Sequence, residues 1–322
     1  MPDVFPEQQP TITFADDLRA GLMTSGQRVL PSKYLYDEVG SALFEVICVL
    51  HEYGLTRADT RLLRSHAPSW VSQLPPHTCV AELGSGSSKK TRLILEVLAQ
   101  KQPTAFYPID ISAAALTQCE RELGDIPNLV VSGLHKEYLP GLREATTRRQ
   151  AKGPLLLLFL GSTIGNFDRT SGEKFLISVR ELLSPGDLLL LSADLVKSEA
   201  DLILAYDDVA GVTAAFNKNV LARINRELGG NFDLSLFAHE ARWNTQARRV
   251  EMHLRALEDM TITVQKAQLQ IELRAGETIK TEDSYKFERE EIHAIAQRSG
   301  FSCQQQWLDE EWAFSQSLLI AC

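Results

Sequence analysis

CVAELGSGSSKKT, residues 79 to 91, joins a short apolar run to a glycine-containing turn and the start of a helical stretch. Its first five residues are rich in β-formers and predict a buried strand. A turn that follows a strand and opens a helix has backbone N–H groups free to receive a ligand. The stretch therefore predicts an α/β fold with a ligand site at the end of its first strand.

The same alternation of short β-rich runs and longer amphipathic runs continues to about residue 195. This pattern is typical of βαβ units and of a parallel sheet covered by helices on both faces. Ser-Pro-Gly-Asp at residues 184–187 ends the fourth helix and starts the fifth strand, because Pro cannot continue a helix and Gly takes positive φ. The predicted strands cover residues 79–83, 105–110, 128–132, 154–160 and 187–195.

A different pattern begins after Lys197. Residues 198–228 predict two helices that meet near Gly211, and residues 241–258 and 260–273 alternate like antiparallel strands. A helix over 288–298 and strands over 301–308 and 315–322 then resume the first pattern. We therefore expect a second unit inserted between the fifth strand and the last helix.

Size and charge exclude several classes of protein. The 322 residues exceed the length at which one hydrophobic core usually stops growing, so we expect two domains. The formal charge of −9 disfavours nucleic acid and anionic membranes as partners. The longest apolar run is far shorter than the roughly 20 residues that cross a bilayer. Because the first ten residues also lack the basic and apolar regions of a signal peptide, we expect a cytoplasmic protein.

The five cysteines are scattered along the chain, and no two of them form a CxxC pair. They predict neither a disulfide framework nor a zinc site, and we expect reduced, structural thiols. The histidines show no metal-ligand spacing either. We therefore expect no bound metal.

Three nucleotide sites compete for the glycine turn. A dinucleotide site needs GxGxxG, and Gly84 and Gly86 fit, but Lys89 stands at the third position. A phosphate-binding loop needs GxxxxGK[ST]; Gly84, Lys90 and Thr91 fit, but Lys89 replaces the second glycine. Both matches are therefore incomplete.

An S-adenosylmethionine site is the third alternative, and it needs no third glycine. Glu82 at the strand end precedes the Gly84-Ser85-Gly86 turn, as such a site requires. Asp110, at the end of the second strand, can accept from both ribose hydroxyls. The competing interpretation of Asp110 is a helix cap before Ser112.

Several longer strings carry a family resemblance. They are FLGSTIGNF (159–167), ADLVKS (193–198), AYDDVAGVTAAFNKNVLARINRELGGNFD (205–233), VEM (250–252) and LPSKYLYDEVGSALFEVICVLHEYGLTR (30–57). With them the chain resembles the histidine N-alpha-methyltransferases of ergothioneine biosynthesis, from about residue 19 to residue 319. That family has a Gly-Asp-aromatic string where this chain has Gly133-Leu134-His135, and EYYPTR where this chain has EYGLTR at 52–57.

The resemblance implies a class I methyltransferase fold, a Rossmann-like parallel sheet with helices on both faces, plus an inserted α+β substrate-binding domain. The S-adenosylmethionine-binding domain would comprise residues 61–196 with 286–322, and the substrate-binding domain residues 1–60 with 197–285. The implied reaction trimethylates the α-amino group of L-histidine to hercynine and releases S-adenosylhomocysteine, without a metal. We expect a cytoplasmic monomer whose partner is the small-molecule substrate.

The resemblance also assigns the site residues. Glu282 with Ser284 would read the two imidazole nitrogens, because a carboxylate accepts from one while a hydroxyl satisfies the other. The implied cofactor residues are Gly84, Gly86, Lys90, Asp110, Leu134 and His135; the substrate residues are Phe44, Tyr53, Gly161, Asn166, Tyr206, Met252, Glu282 and Ser284; the catalytic residues are Tyr36, Asn166 and Tyr206.

Ordinary structural roles compete with three of these assignments. Glu282 also fits an exposed loop carboxylate that balances neighbouring lysines. Tyr206 also fits an aromatic residue packed within a helix, and Asn166 also fits a left-handed turn after the fourth strand.

Alternatives to the function also stay open at this stage. They are methylation of a related amino acid such as a prenylated tryptophan or a thiohistidine, a non-catalytic S-adenosylmethionine-binding interaction protein, and a nucleotide-hydrolysing phosphate-loop protein.

Overall fold

The computed structural model describes residues 13–149 and 153–322. Its helices are α1 Phe14–Leu22, α2 Glu38–Ile47, α3 Gly54–Val71, α4 Arg92–Lys101, α5 Ala113–Leu123, α6 Tyr138–Arg148, α7 Arg169–Leu182, α8 Glu199–Tyr206, α9 Val212–Leu228 and α10 Arg289–Arg298. Its strands are β1 Arg28–Val29, β2 Cys79–Leu83, β3 Thr104–Asp110, β4 Leu129–Val131, β5 Leu134–His135, β6 Leu155–Phe159, β7 Leu188–Asp194, β8 Phe237–Asn244, β9 Arg249–Ala256, β10 Met260–Val264, β11 Leu269–Leu273, β12 Thr278–Tyr285, β13 Phe301–Asp309 and β14 Phe314–Ala321.

The central sheet has the strand order β13-β14-β7-β6-β2-β3-β4, and β5 pairs with the end of β3. Strands β4, β3, β2, β6 and β7 run parallel, while β14 is antiparallel to both β7 and β13. Every residue of β2 and β6 is buried, including Glu82 of β2, as expected for the central strands of a parallel sheet covered on both faces. The predicted α/β fold and its five strands are confirmed, and the β13–β14 hairpin confirms that the sheet resumes after the insertion.

Helices cover both faces of this sheet. Val80 and Leu156 belong to one buried cluster, which includes residues of α3, α4 and α5. Ala81 and Leu157 belong to a second cluster, which includes residues of α6, α7 and α10. Adjacent residues of one strand point to opposite faces, so each apolar run of the sequence supplies both clusters.

The direction of strand addition reverses beside β2. From β2 the chain adds β3 and β4 on one side of the sheet, and it then returns to place β6 and β7 on the other side. Ligands of open parallel sheets bind at the carboxyl ends of the strands where such a reversal occurs. The fold therefore directs attention to the loops after β2, β3 and β6.

Residues 197–285 form the predicted helical and antiparallel elements. Helices α8 and α9 meet at Gly211, which has φ +74° and precedes α9 directly. A four-stranded sheet has the order β1-β12-β9-β8, and β10 pairs with β11 as a hairpin. In the four-stranded sheet β1, from the N-terminal part of the chain, runs parallel to β12. The two helices and the antiparallel strands are as predicted, whereas β1, β5 and β12 were not predicted.

One predicted domain boundary falls inside a regular element. Residues 60 and 61 are both in the middle of α3, which is continuous from Gly54 to Val71. The two-domain assignment itself stays a prediction. Residues 1–12 of the predicted substrate-binding domain lie outside the described part of the chain.

A buried carboxylate fastens α3 to the central sheet. Asp59 is fully buried, and its Oδ2 accepts from the Gly161 backbone N–H at 2.9 Å and contacts the Lys90 ammonium at 2.5 Å. Its Oδ1 accepts from the Ser192 hydroxyl at 2.7 Å and from the Gln316 amide at 2.6 Å. The N-terminal segment is thereby joined to the loops and strands that surround the carboxyl edge of the sheet.

None of the helices in residues 13–149 and 153–322 combines the length and the apolarity needed to span a bilayer.

Candidate active site

A cavity of about 520 Å³ opens where the loops after β2, β3 and β6 face helices α2 and α9 and strand β12. It brings together residues that are far apart in the sequence and that come from both the central sheet and residues 197–285. Twelve of the fifteen predicted site residues line it: Tyr36, Phe44, Tyr53, Gly84, Gly86, Asp110, Gly161, Asn166, Tyr206, Met252, Glu282 and Ser284.

The glycine turn after β2 forms one wall of this cavity. Gly84 and Gly86 have φ of +68° and +51°, values that side chains rarely adopt. The Gly84 N–H donates to the Ile109 carbonyl at 2.8 Å, which ties the turn to β3. A Cβ at Gly86 would project into open space, where a ligand can approach the backbone.

Glu82 supports this turn from beneath and does not line the cavity. It is buried, and the Thr91 hydroxyl lies 2.7 and 2.8 Å from its two oxygens, while the Ser88 hydroxyl lies 3.2 Å from Oε2. Burial raises the pKa of Glu82 to about 8, although the hydrogen bonds from Thr91 and the charge of Lys90 oppose this change. The acidic residue of the motif thus shapes the turn and has no surface for a ligand.

Asp110 ends β3 and lines the cavity beside the turn. Its Oδ2 accepts from the Gly86 N–H at 3.0 Å, and its Oδ1 accepts from the Ser112 N–H at 2.9 Å. The helix cap of α5 is the Ser112 hydroxyl, which accepts from the Ala115 N–H at 3.3 Å. Asp110 is therefore more than a cap, because each carboxylate oxygen can accept one further hydrogen bond from a ligand in the cavity.

The structure does not bring Lys90, Leu134 and His135 to the cavity. The Lys90 ammonium is engaged by Asp59, and this pairing argues against the phosphate-loop alternative. Leu134 is buried in the apolar cluster beneath the sheet. The His135 ring is exposed, and its Nε2 lies 2.9 Å from the Ile111 carbonyl. Residues of α5 that were not predicted line this side instead: Ala114, Ala115 and Gln118.

Aromatic rings form a second wall. The Tyr36 ring lies edge-on to Phe44 at 5.5 Å and to Phe216 at 5.4 Å. Tyr53 lies edge-on to Phe44 at 6.2 Å and to Tyr206 at 6.0 Å. Phe216 was not predicted, because a phenylalanine within an amphipathic helix gives no sign that it faces a cavity and not the core.

Glu282 lies on β12 opposite Met252 on β9, and both side chains line the cavity. The register of the two strands shifts between Lys280 and Glu282, a bulge that re-aims the following side chains. Glu282 is only 9 % exposed, so the alternative of an exposed loop carboxylate is wrong. Burial raises its pKa to about 7, against the opposing charge of Lys286 and a hydrogen bond from Tyr36.

A buried polar cluster stands beside Glu282. The hydroxyl oxygens of Tyr206 and Ser284 are 2.7 Å apart, and the Lys286 ammonium lies 2.9 Å from each of them. Lys286 is also 2.8 Å from Asp194 Oδ2, and Asp194 Oδ1 is 2.6 Å from the Lys197 ammonium. Tyr206 is therefore not merely a helix aromatic. Lys286 was missed as a site residue, because the sequence shows only a lysine two positions after Ser284.

Asn166 ends the turn that follows β6. The left-handed residues of this turn are Gly161 and Ser162, with φ of +69° and +60°, so the left-handed alternative for Asn166 is wrong. The Asn166 side chain is exposed to the cavity, and its amide makes no hydrogen bond to any residue that the structure describes. It keeps both its donors and its acceptor for a ligand.

A second cavity of about 570 Å³ adjoins the first. Both cavities are lined by Tyr36, Tyr138, Asn166 and Glu282. The second cavity lies between residues 29–33, the start of α6 and strand β12. The site is thus approached from two sides.

The pKa values of the tyrosines limit the chemistry available in the first cavity. Burial raises the pKa of Tyr36 and Tyr53 well above 10, and it also raises the pKa of Tyr206. All three hydroxyls are therefore neutral hydrogen-bond donors near pH 7. Within the described residues, no group of three or more His, Cys, Asp or Glu side chains has the arrangement of a metal site.

Comparison with known proteins identifies similar chains. A family model described as histidine-specific, S-adenosylmethionine-dependent methyltransferase matches residues 14–321. The histidine N-alpha-methyltransferase of Mycolicibacterium smegmatis is 39 % identical over 306 residues, which cover 94 % of this chain and 94 % of that protein. The protein of the same description from Mycobacterium tuberculosis is 40 % identical over 307 residues, covering 94 % and 93 %. Ergothioneine biosynthesis protein 1 of Schizosaccharomyces pombe is 33 % identical over 285 residues, covering 84 % of this chain and 36 % of that protein.

Proposed function

The chain belongs to the family of histidine-specific, S-adenosylmethionine-dependent methyltransferases, and on that premise we propose that it adds three methyl groups to the α-amino nitrogen of L-histidine. The product would be hercynine, and the reaction would be the first step of ergothioneine biosynthesis. The observation that carries the proposal is the buried Glu282 carboxylate, which faces the cavity on the same strand as Ser284.

The glycine turn and Asp110 fit S-adenosylmethionine. Gly86 leaves room for a ligand against the backbone, and Asp110 has acceptor capacity for the two ribose hydroxyls. S-Adenosylmethionine, when bound, supplies a methyl group on a positively charged sulfur. The protein contributes the orientation of the amino nitrogen toward that methyl, and positioning alone supplies several kcal/mol in well-oriented reactions.

Glu282 and Ser284 suit an imidazole ring. Residues two apart on a strand point to the same face, so the carboxylate and the hydroxyl meet the ligand together. The carboxylate accepts from the ring N–H, and the hydroxyl pairs with the other nitrogen. An apolar amino acid would leave both groups unpaired, at a cost of about 1 to 3 kcal/mol for each buried group.

Asn166 and Tyr206 suit the amino-acid head group. The Asn166 amide can accept from the amine and donate to the carboxylate, and Tyr206 adds a donor. Because the raised pKa of Tyr36 and Tyr206 makes these hydroxyls donors and not bases, we assign the proton of the ammonium group to solvent.

The aromatic wall suits the successive products. Each methyl transfer makes the amino group larger and more apolar, and the third leaves a permanent positive charge. Aromatic faces attract quaternary ammonium groups without a formal negative charge. The rings of Tyr36, Phe44, Tyr53 and Tyr206 therefore support acceptance of a trimethylammonium product without holding it through a strong ion pair.

Mass spectrometry of L-histidine incubated with S-adenosylmethionine and the protein tests the proposal. We expect three successive gains of one methyl group each, located on the α-amino nitrogen. The same incubation with tryptophan and thiohistidine derivatives decides between histidine and a related amino acid. A single gain, a methyl group on the ring, or a preference for another amino acid would overturn the proposal. The cytoplasmic location and the monomeric state stay predictions.

A further inference from the structure

We propose that Lys286 is a positioning residue for the carboxylate of the substrate: by contacting Tyr206 and Ser284, its ammonium orients their hydroxyls so that the pair offers one donor to that carboxylate. The inference rests on the proposed function only in requiring an α-amino acid as substrate. Lys286 does not line the cavity and is fully buried behind the two hydroxyl groups.

The Lys286 ammonium contacts three partners. The Tyr206 and Ser284 hydroxyl oxygens each lie 2.9 Å away as hydrogen-bond acceptors, and Asp194 Oδ2 lies 2.8 Å away as an ion-pair partner. An ammonium has three donors and no acceptor, so both hydroxyl oxygens must accept from it. Because Lys286 is fully buried and does not line the cavity, it acts on a ligand only through these two hydroxyls.

This arrangement fixes how many hydrogen atoms the hydroxyl pair can present. Tyr206 and Ser284 are 2.7 Å apart, so one of their two hydroxyl hydrogens lies between them. The other hydrogen has no position left toward Lys286, so it is available to the cavity that both residues line. The pair therefore presents one donor. When that donor is the Tyr206 hydrogen it serves the substrate carboxylate, and Ser284 meets the second ring nitrogen through its remaining lone pair, accepting from the N–H of that nitrogen.

Asp194 is shared by Lys286 and by Lys197, whose ammonium lies 2.6 Å from Asp194 Oδ1. Asp194 therefore keeps a counter-ion when Lys286 is removed, so the contact of Lys286 with the two hydroxyls can be tested apart from its pairing with Asp194.

Other titratable groups lie near Lys286. Glu282 is close enough for the two charges to attract, and Tyr206 and Lys197 are further ionisable neighbours. Burial alone lowers the pKa of Lys286, but the carboxylate of Asp194 and the contact with Tyr206 raise it to about 12. The ammonium therefore stays charged at neutral pH.

The test compares L-histidine with L-histidinamide, in which a neutral amide replaces the carboxylate. In Lys286→Met, Asp194 keeps Lys197 as its counter-ion, so no carboxylate is left unpaired. We expect the preference in kcat/KM for L-histidine over the amide to fall about tenfold or more. Lys197→Met is the matched control, because it removes a charge from the same aspartate and leaves both hydroxyl contacts in place; its preference should change less than about threefold.

Lys286→Gln separates hydrogen bonding from charge, and it also serves if the methionine variant does not fold. The glutamine amide can still donate to the hydroxyls, so we expect more of the preference to survive than in Lys286→Met. The inference is overturned if Lys286→Met lowers kcat/KM for both compounds equally, or if Lys197→Met loses the same preference. A wild-type protein that does not prefer the carboxylate over the amide also overturns it.

Failure of this inference is distinguishable from failure of the proposed function. If L-histidine is not methylated, the proposed function is wrong, and the carboxylate comparison is repeated with whichever α-amino acid is the substrate. If L-histidine is methylated but Lys286→Met keeps the full preference, only the role of Lys286 is wrong.

Discussion

Replacing Glu282 by alanine should weaken the binding of L-histidine and leave S-adenosylhomocysteine binding almost unchanged. The carboxylate is buried on β12, where its exposed fraction is 9 %. Its loss removes a hydrogen bond in which the acceptor is charged, and such bonds contribute about 1.5 to 3 kcal/mol. At 1.4 kcal/mol for each tenfold change, the dissociation constant for L-histidine should rise about 10- to 150-fold.

Glu282→Gln should weaken L-histidine binding less than Glu282→Ala does. It keeps the size of the side chain and one acceptor oxygen but has no charge, so the loss should be smaller than that of the alanine variant. The glycine turn should be unaffected, because its hydrogen bonds involve Ile109 and Asp110 and none involves Glu282. The dissociation constant for S-adenosylhomocysteine should therefore change less than about twofold.

Isothermal titration calorimetry measures both affinities, with L-histidine titrated in the presence of S-adenosylhomocysteine. Glu251→Ala is a matched control, because Glu251 lies beside Met252 on β9 and lines neither cavity. It should leave both affinities within about twofold. Equal losses of both ligands in Glu282→Ala, or an unchanged affinity for L-histidine, would refute the assignment of this carboxylate.

Three further predictions address the turn and its supports. Asp110→Ala should weaken S-adenosylhomocysteine about tenfold or more in the same calorimetric assay, and an unchanged affinity would contradict the ribose assignment. Asp59→Ala leaves a buried ammonium and a backbone N–H without their partner, so urea denaturation should report a loss of about 3 to 5 kcal/mol; a loss below about 1 kcal/mol would show that Asp59 does not fasten α3. The pKa of Glu82 is raised from 4.5 to about 8, so the folded state keeps a proton that the unfolded state releases. The corresponding stability is fully present below pH 4.5 and is lost as the pH rises toward 8. Glu82→Gln cannot lose this proton, so between these two pKa values its unfolding free energy minus that of the wild type should rise by about 1.4 kcal/mol for each pH unit. A difference that does not change with pH would argue against the raised pKa.

The parts of the fold that sequence predicts best are those buried on both faces. The apolar run LLLLF identified β6, and the β-formers of CVAEL before a glycine turn identified β2; both are central strands of the sheet. The first and last residues of the strands were less predictable. β4 begins at Leu129, one residue later than predicted, because Asn128 has φ +62° and cannot continue the extended backbone.

Strand β12 shows why an element that carries predicted site residues was not itself predicted as a strand. Its sequence TIKTEDSY has few apolar residues, and Glu, Asp and Lys are depleted in strands, so periodicity alone indicates a loop. The polar residues occur here because one face of the strand meets the cavity and the buried cluster. A strand that carries a polar site thus lacks the pattern by which strands are identified.

Long-range charge pairing explains the other misses. Lys90 fits a ligand residue when only its neighbours in the turn are considered, but Asp59, thirty-one positions earlier, takes its ammonium. Lys286 is paired with Asp194 in the same way. Partners that come together only after folding leave no mark in local sequence.

The two adjoining cavities matter for a reaction that is repeated on the same substrate, because the cofactor product and the amino acid can use different exits from the site. Ser87 and Gln118 line only the first cavity, while Lys33 and Glu137 line only the second, and both cavities reach Glu282. In the proposed reaction, S-adenosylhomocysteine would leave past the glycine turn while the partly methylated amino acid, held by its ring, would remain in the site. Each round would then need only a fresh methyl donor, and the intermediates would not be diluted into the surrounding solution.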